Sequence, residues 1–240
     1  MRRFLATICV VGIMVLGTQA CVLGFQQVTG SGRITSLDLS QQGFSKVHLG
    51  SGCRSQLRQA SDYSVVVRID DNLADDLDIE RTGSELSISL KGHRSYRRIT
   101  FEVDIAMPDL ESLHLSGGSR CALTGFHFGH DIDFDLSGGS ELRGDSTFAD
   151  VDFSLSGGSS VEMMGKAGDV RLDGSGGSRF DLADFSGHDF DVDLSGGSTA
   201  TIRIDGELSG SLSGGSQVRY IGDPTLGRIA KSGGAGVGPK

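Results

Sequence analysis

The sequence has no tryptophan, only three prolines and only three tyrosines in 240 residues. It therefore has little material for the exposed aromatic rows that stack on sugars. Basic residues are also scarce: 22 lysines and arginines stand against 31 aspartates and glutamates, and the formal charge is −9. This balance argues against nucleic acid or anionic lipid as the main partner, since both need a basic surface. No Gly-x-Ser-x-Gly elbow, P-loop, His-Glu-x-x-His or Cys-x-x-Cys motif occurs, so catalysis has little support.

The N-terminus predicts export. A basic start is followed by an apolar run over residues 4–16 and by small residues before a cleavage point after residue 20. This layout is typical of a signal peptide (1–20), and its apolar core is too short to span a bilayer. Cys21 follows the cleavage point directly, but Thr18 and Gln19 fit a lipoprotein signal poorly. Plain export and lipid attachment at Cys21 both remain open, and we expect no transmembrane span in the mature chain.

Two ordinary cysteines remain in the mature chain, Cys53 and Cys121. An oxidising envelope permits a disulfide between them. The alternative is a pair of buried thiols that pack as small apolar residues.

The strongest signal is an internal repeat. Ser-Gly-Gly recurs at intervals of 18–21 residues, beginning at Ser116, Ser137, Ser156, Ser175, Ser195, Ser213 and Ser232. The segments between the copies alternate strictly, as in Asp-Ile-Asp-Phe-Asp-Leu over 131–136, which is typical of a strand with one buried face. These apolar residues argue against a flexible Gly/Ser linker, which would be polar throughout. Residues 116–230 therefore predict an all-β, single-chain β-solenoid (β-helix) with coils of about 19 residues and Ser-Gly-Gly corners.

Alignment on the repeat gives apolar columns that we expect to stack inside the solenoid. Five places after each Ser stand Cys121, Leu142, Val161, Phe180, Ala200 and Val218. Glycine suits the corners because it reaches positive φ and lets stacked backbones approach closely.

The flanking regions are less regular. Residues 28–115 show strand patterns at 65–67, 86–90 and 99–105, and predict the first coils and an N-terminal cap. At the other end, Tyr220–Pro224 suggests the end of the stack, and 231–240 predicts a flexible tail.

The chain resembles the head GIN domain family of auto-transporter adhesins. The resemblance rests on an ordered set of short motifs: Gly30-Ser31-Gly32, Gly43-Phe44-Ser45-Lys46-Val47, Pro108-Asp109-Leu110, the repeats, and Tyr220-Ile221-Gly222-Asp223-Pro224. Cys53 departs from the pattern, because a small polar residue or glycine is usual there. The resemblance covers about residues 28–234 and implies a β-solenoid in the bacterial envelope, with adhesion as the suggested role and no catalytic residues to carry over.

Outward positions on the first strand of each coil form acidic columns. One column has Asp131, Asp150, Asp169 and Asp189; the second has Asp133, Asp152 and Asp191 with Arg171; the third has Asp135, Asp173 and Asp193. A solvated acidic surface explains them most simply. The alternative is a calcium-binding face, since hard cations prefer carboxylate oxygens; its ligands would be Asp131, Asp133, Asp150, Asp152, Asp189 and Asp191.

Two further groups are weaker candidates. His130 and His188 recur at one coil position but three coils apart, about 14 Å along the stack, which is too far for a shared metal ion. A basic cluster between two candidate strands is typical of a solvated hairpin loop, the alternative being contact with an acidic glycan or protein. It comprises Lys91, His93, Arg94, Arg97 and Arg98.

Two classes of function follow. The first is a non-enzymatic binding or adhesion module that presents a repetitive β face to a glycan or protein in the periplasm, at the outer membrane or on the cell surface. The second is a structural or scaffolding envelope protein with protein partners only. A polysaccharide-acting β-helix enzyme is a minor alternative, because coils of nearly constant length leave no loop to wall a cleft.

Overall fold

The structure, a computed structural model, describes residues 26–92 and 94–240. In this part the chain is almost entirely strand, with one short 3₁₀ helix at Asp71–Asp76. It winds into a β-solenoid of about six turns, which confirms the predicted fold class.

The N-terminal strands are irregular in length and direction. They are β1 (Gln26–Thr29), β2 (Ile34–Leu39), β3 (Lys46–Leu49), β4 (Arg54–Gln59), β5 (Ser64–Asp70), β6 (Leu77–Thr82), β7 (Glu85–Leu90), β8 (Arg94–Arg97) and β9 (Phe101–Met107). The strands that follow alternate between two sheets. They are β10 (Ser112–Leu115), β11 (Arg120–His127), β12 (Ile132–Leu136), β13 (Glu141–Thr147), β14 (Val151–Leu155), β15 (Ser160–Lys166), β16 (Val170–Gly174), β17 (Arg179–Gly187), β18 (Phe190–Leu194), β19 (Thr199–Ile204), β20 (Glu207–Leu212), β21 (Gln217–Ile221), β22 (Thr225–Lys231) and β23 (Gly236–Pro239).

Two large sheets enclose the core. The ten-stranded sheet has the order β22-β20-β18-β16-β14-β12-β10-β3-β7-β6, and the eleven-stranded sheet has the order β2-β5-β9-β4-β11-β13-β15-β17-β19-β21-β23. Each coil of the repeat gives one strand to each sheet, and neighbouring coils pair in parallel. Residues one coil apart therefore lie side by side and form columns.

The predicted apolar columns lie inside the solenoid. The ladder pairs Cys121 with Leu142 and continues in register to Val218, and every member of this column is buried. In the ten-stranded sheet, Phe134 stacks on Phe153 with ring centroids 5.1 Å apart. Each fully buried side chain of this size contributes about 1.5–3 kcal/mol, so the stacked columns are the main source of stability.

The corners form a second ladder. In each Ser-Gly-Gly-Ser corner of the repeat the second serine is buried and its hydroxyl donates to the carbonyl of the first, as from Ser159 to Ser156 at 2.7 Å. The Ser156 N–H donates to Leu136 O of the preceding coil at 2.9 Å. Both glycines of this corner have left-handed φ, and a Cβ on Gly157 would lie 3.1 Å from the backbone nitrogen of Gly138. The first glycine of the corner is therefore needed for two reasons: its φ is left-handed, and a Cβ there would press on the backbone of the preceding coil.

The segment Gly50–Cys53 forms an earlier corner, although its sequence is Gly-Ser-Gly-Cys and not Ser-Gly-Gly-Ser. Ser51 has φ of 60° and lies against Gly117 of the next coil, and Cys53 takes the place of the buried serine. Cys53 and Cys121 lie on neighbouring coils but are offset by two residues, because the ladder pairs Cys121 with Ser55. Both thiols are buried and free, so the disulfide is not formed in this structure, and the buried-thiol alternative describes it.

Antiparallel strands close the N-terminal end. β2 and β5 pair antiparallel in one sheet, as do β6 and β7 in the other. The buried carboxylate of Asp70 holds the Gly30–Gly32 loop, because it accepts the N–H of Gly32 at 2.6 Å and the N–H of Thr100 at 2.7 Å. This clamp satisfies backbone donors that the parallel ladder does not reach.

The structure of the C-terminal segment differs from two predictions made from the sequence. The stack continues past Tyr220–Pro224, since β22 pairs with β20 and β23 pairs with β21. Residues 231–240 are therefore a paired part of the last coil, with a corner at Ser232 whose N–H donates to Leu212 O at 2.9 Å. A composition of Gly, Ala and Ser suggested a flexible tail, but ladder pairing uses backbone groups that every residue except proline carries.

Candidate functional site

The outward side of the ten-stranded sheet carries ten aspartates and one arginine on the coils of the repeat. We call it the acidic face; it consists of Asp131, Asp133, Asp135, Asp150, Asp152, Asp169, Asp173, Asp189, Asp191 and Asp193 together with Arg171. The ladder pairs Asp133 with Asp152 and Asp173 with Asp193, as the alignment of the repeats predicts. Two open grooves of about 530 and 570 Å³ run along it.

The first acidic column has a structural role that the sequence did not reveal. Asp131 Oδ1 accepts the N–H of Asp150 at 3.3 Å, and Asp150 Oδ1 accepts the N–H of Asp169 at 2.8 Å. Asp189 repeats the arrangement with the N–H of Glu207 at 2.6 Å. These carboxylates connect consecutive coils at the turn before each strand, where a bare backbone donor would otherwise need water.

The other two columns are organised around one arginine. Arg171 lies 3.0 Å from Asp173, 3.5 Å from Asp191 and 3.6 Å from Asp193. The guanidinium thus offsets repulsion among carboxylates one coil apart. At Asp152, burial and then the neighbouring Asp133 raise the pKa above its ordinary value.

Calcium binding at the acidic face stays the alternative to a solvated surface. Within residues 26–92 and 94–240 no group of three or more His, Cys, Asp or Glu side chains is placed to hold a metal ion. Each of the six carboxylates named for calcium lies on the acidic face, and Asp131, Asp150 and Asp189 already accept backbone donors.

A histidine pair extends the acidic face toward the N-terminal cap. The rings of His48 and His114 lie on the neighbouring strands β3 and β10 with centroids 4.6 Å apart, and His114 Nδ1 is 3.5 Å from Asp135. Burial and then the His114 imidazole lower the pKa of His48, although Glu85 and Asp135 act in the opposite direction. Aligning Gly50-Ser51-Gly52 with the repeats would have revealed that these histidines share a column.

The two recurring histidines serve separate local contacts. His130 Nε2 lies 2.7 Å from Asp109, and its ring stacks on Phe128. His188 Nδ1 lies 2.8 Å from Asp205. The pKa of His130 is raised by the carbonyl of the next residue and by Asp109, and that of His188 by Asp205. Each of them is placed to form an ion pair with its aspartate when it is protonated.

The basic cluster is part of the N-terminal cap. Arg94 begins β8, which pairs with β1, and its Nη1 lies 2.8 Å from the buried carboxylate of Asp76. Lys91 Nζ donates to the carbonyl of Asp75. His93 lies outside the described residues, as do Cys21 and the segment 1–20 that the sequence predicts to be a signal peptide. In the described part, no helix is both long enough and apolar enough to cross a membrane.

The fold has close counterparts among solved structures. A putative adhesin from Bacteroides fragilis superposes with a TM-score of 0.82 at 14% identity, over 89% of this chain and 100% of that chain. A putative adhesin from Parabacteroides merdae gives a TM-score of 0.66 at 14% identity, over 90% and 99%. A protein from Parabacteroides distasonis described as a putative lipid binding protein gives 0.67 at 15% identity, over 88% and 99%. At such identities the likeness shows the fold alone.

Sequence comparison gives the family. No curated protein matches the chain at a significant level. A family profile, however, matches residues 43–224, which include the Gly-Phe step at Gly43, all the corners from Ser116 to Ser213, and the Tyr-x-Gly-x-Pro segment. The chain therefore belongs to the family described as "Putative auto-transporter adhesin, head GIN domain".

Proposed function

We propose that this protein is exported to the bacterial envelope and acts there, in the periplasm or at the outer surface, as a non-enzymatic binding module for adhesion. The observation that carries the proposal is the regularity of its two outer sheet faces. From Ser116 to Ser232 the spacing between corners varies by at most three residues, so no inserted loop walls a cleft between the coils of the repeat. Flat columns of side chains suit contact with an extended surface or polymer.

Family membership and the solved structures support this role without naming a ligand. The signal-like N-terminus supports export. The acidic face makes an anionic lipid surface a poor partner on that side, since like charges repel at contact distance.

Bead adhesion tests the proposal. Beads coated with the purified exported protein should bind whole cells or isolated envelopes in a saturable way, and soluble protein should compete. Binding that is equally strong at low and high salt would point to apolar contact, whereas binding that is lost at high salt would point to the charged faces. Beads that bind no better than albumin-coated beads would count against adhesion.

A scaffolding role is the second candidate, favoured by the repetitive faces that could align protein partners. Photo-crosslinkers placed at Ser154 on the acidic face and at Thr201 on the opposite sheet distinguish the two roles. Adhesion predicts crosslinks to glycans or to surfaces of other cells. Scaffolding predicts discrete protein adducts from the same envelope and no bead binding.

A further inference from the structure

A hollow on the outer side of the eleven-stranded sheet is ringed by arginines. Its volume is about 500 Å³, within the range of small-molecule sites. Arg54, Arg68, Arg120 and Arg143 line it, on the strands β4, β5, β11 and β13. It lies on the opposite side of the solenoid from the acidic face.

The register explains why the surface is hollow at this point. The ladder places Ala122 between Gln56 on one side and Arg143 on the other. Ala122 has no side chain beyond Cβ, whereas its neighbours in the ladder are long. The gap above Ala122 is therefore bordered by side chains that can close on a ligand from several directions.

Neighbouring carboxylates hold three of the arginines in place. Arg68 lies 2.9 Å from Glu102 and 2.7 Å from Asp104. Arg120 Nε lies 3.2 Å and Arg143 Nε 2.6 Å from Glu141. A guanidinium fixed in this way loses less entropy when it binds a further acceptor.

Donors remain free for a ligand. Within residues 26–92 and 94–240 Arg54 makes no ion pair or side-chain hydrogen bond, and Arg120 and Arg143 use only Nε. An arginine offers five N–H donors, so the terminal nitrogens of these three side chains can still bind a planar or tetrahedral anion.

The charge distribution directs an anion to this side. Four arginines and three carboxylates line the hollow, which leaves a net charge of +1. The groove of about 530 Å³ on the acidic face has eight carboxylates and one arginine. An anion is therefore repelled from one sheet and attracted to the other.

We propose that the hollow binds the acid group of an anionic saccharide, with Arg54 and Arg120 on the acid group and the sugar ring over Ala122 and Gln56. The inference rests on the proposed binding function and specifies the ligand class and the face that takes it. Guanidinium groups bind carboxylate and phosphate alike, so the acid group is either a uronate carboxylate or a sugar phosphate.

Titration calorimetry at low salt tests the proposal with three probes: trigalacturonate, a mannose 6-phosphate disaccharide and neutral maltotriose. We expect an acidic probe to bind and the neutral one not to bind. Preference between the two acidic probes identifies the source of the acid group. Equal heats from acidic and neutral probes, or no binding of any probe at millimolar concentration, would overturn the proposal.

Two charge-matched variants localise the site. Arg54→Gln should weaken binding of the acidic probe roughly tenfold to hundredfold, because it removes charge-assisted hydrogen bonds. Arg179→Gln removes the same charge from the same row of the same sheet but outside the hollow, and should change the affinity less than twofold. Equal losses of affinity in the two variants would show that overall charge alone explains the effect, and would refute the site.

A third variant separates the hollow from the charge. Ala122→Leu fills the gap without altering any charge, and an exposed strand position accepts leucine. We expect this variant to bind the acidic probe more weakly while its thermal stability stays unchanged. Bead adhesion that survives both Arg54→Gln and Ala122→Leu would refute the hollow as the contact site while leaving the binding function intact.

Discussion

The corner glycines make a matched pair that tests whether the coils are held at backbone contact. Gly157 and Gly158 both have left-handed φ, of 65° and 82°. A Cβ on Gly157 would lie 3.1 Å from the nitrogen and 3.4 Å from the Cα of Gly138, whereas a Cβ on Gly158 would meet nothing within 4 Å. The two alanine variants therefore share the conformational cost and differ in the contact between coils.

The expected magnitudes follow from those two terms. A side chain in the left-handed region costs about 1–2 kcal/mol, which applies to both variants. Forcing an atom into a packed position adds about 1–3 kcal/mol, which applies to Gly157→Ala alone. Gly158→Ala should thus lower the free energy of unfolding by about 1–2 kcal/mol, and Gly157→Ala by about 2–5 kcal/mol.

Urea unfolding followed by circular dichroism measures both variants. The slope against urea should stay constant, since the surface exposed on unfolding is the same. Equal losses for the two variants would show that the first glycine is needed only for its φ, and would refute the argument that stacked corners require bare backbone.

Further predictions concern buried and charged groups. Ser159→Ala should cost about 1–3 kcal/mol in the same urea assay, because the buried N–H of Ser140 loses the hydroxyl that accepts it; a loss below 0.5 kcal/mol would contradict this. Because the pKa of His48 is lowered in the folded state, the unfolded chain binds more protons at this residue below pH 6.5, so the part of the stability that depends on His48 should fall as pH drops through that range. His48→Gln should flatten that fall, and an unchanged pH profile would count against it. Cys53 and Cys121 should resist iodoacetamide until the protein unfolds, because burial raises the pKa of their thiols to about 11 and about 12; rapid native alkylation would oppose this. Millimolar calcium should leave Tm unchanged, and a rise that EDTA reverses would establish a calcium face.

The repeat region could be predicted in detail because every coil gives an independent reading of the same columns. The column from Cys121 to Val218 was located from spacing alone, and the ladder reproduces it in register. A single strand does not reveal its partner, but six copies at nearly constant spacing do. The pairing between coils follows because parallel in-register stacking is the arrangement that buries all copies of an apolar column together.

The N-terminal cap and the arginine hollow could not be read in this way. The cap depends on Asp70, whose carboxylate reaches two backbone donors 38 and 30 residues away in the chain. The hollow joins side chains from five strands, three of them outside the repeat, around Ala122. A contact that occurs only once in the chain has no second copy in the sequence from which it could be recognised, so only the folded structure shows it.

The acidic columns show how a repeat can keep charges that appear costly. Carboxylates stacked one coil apart repel one another, and solvent screens that repulsion only in part. In the first column the repulsion is offset because Asp131, Asp150 and Asp189 each accept a backbone N–H from the next coil. In the other columns it is offset by Arg171. The repeat thus uses its acidic residues to join coils, and the same residues leave one face unattractive to anions, so that an anionic ligand is directed to the opposite sheet.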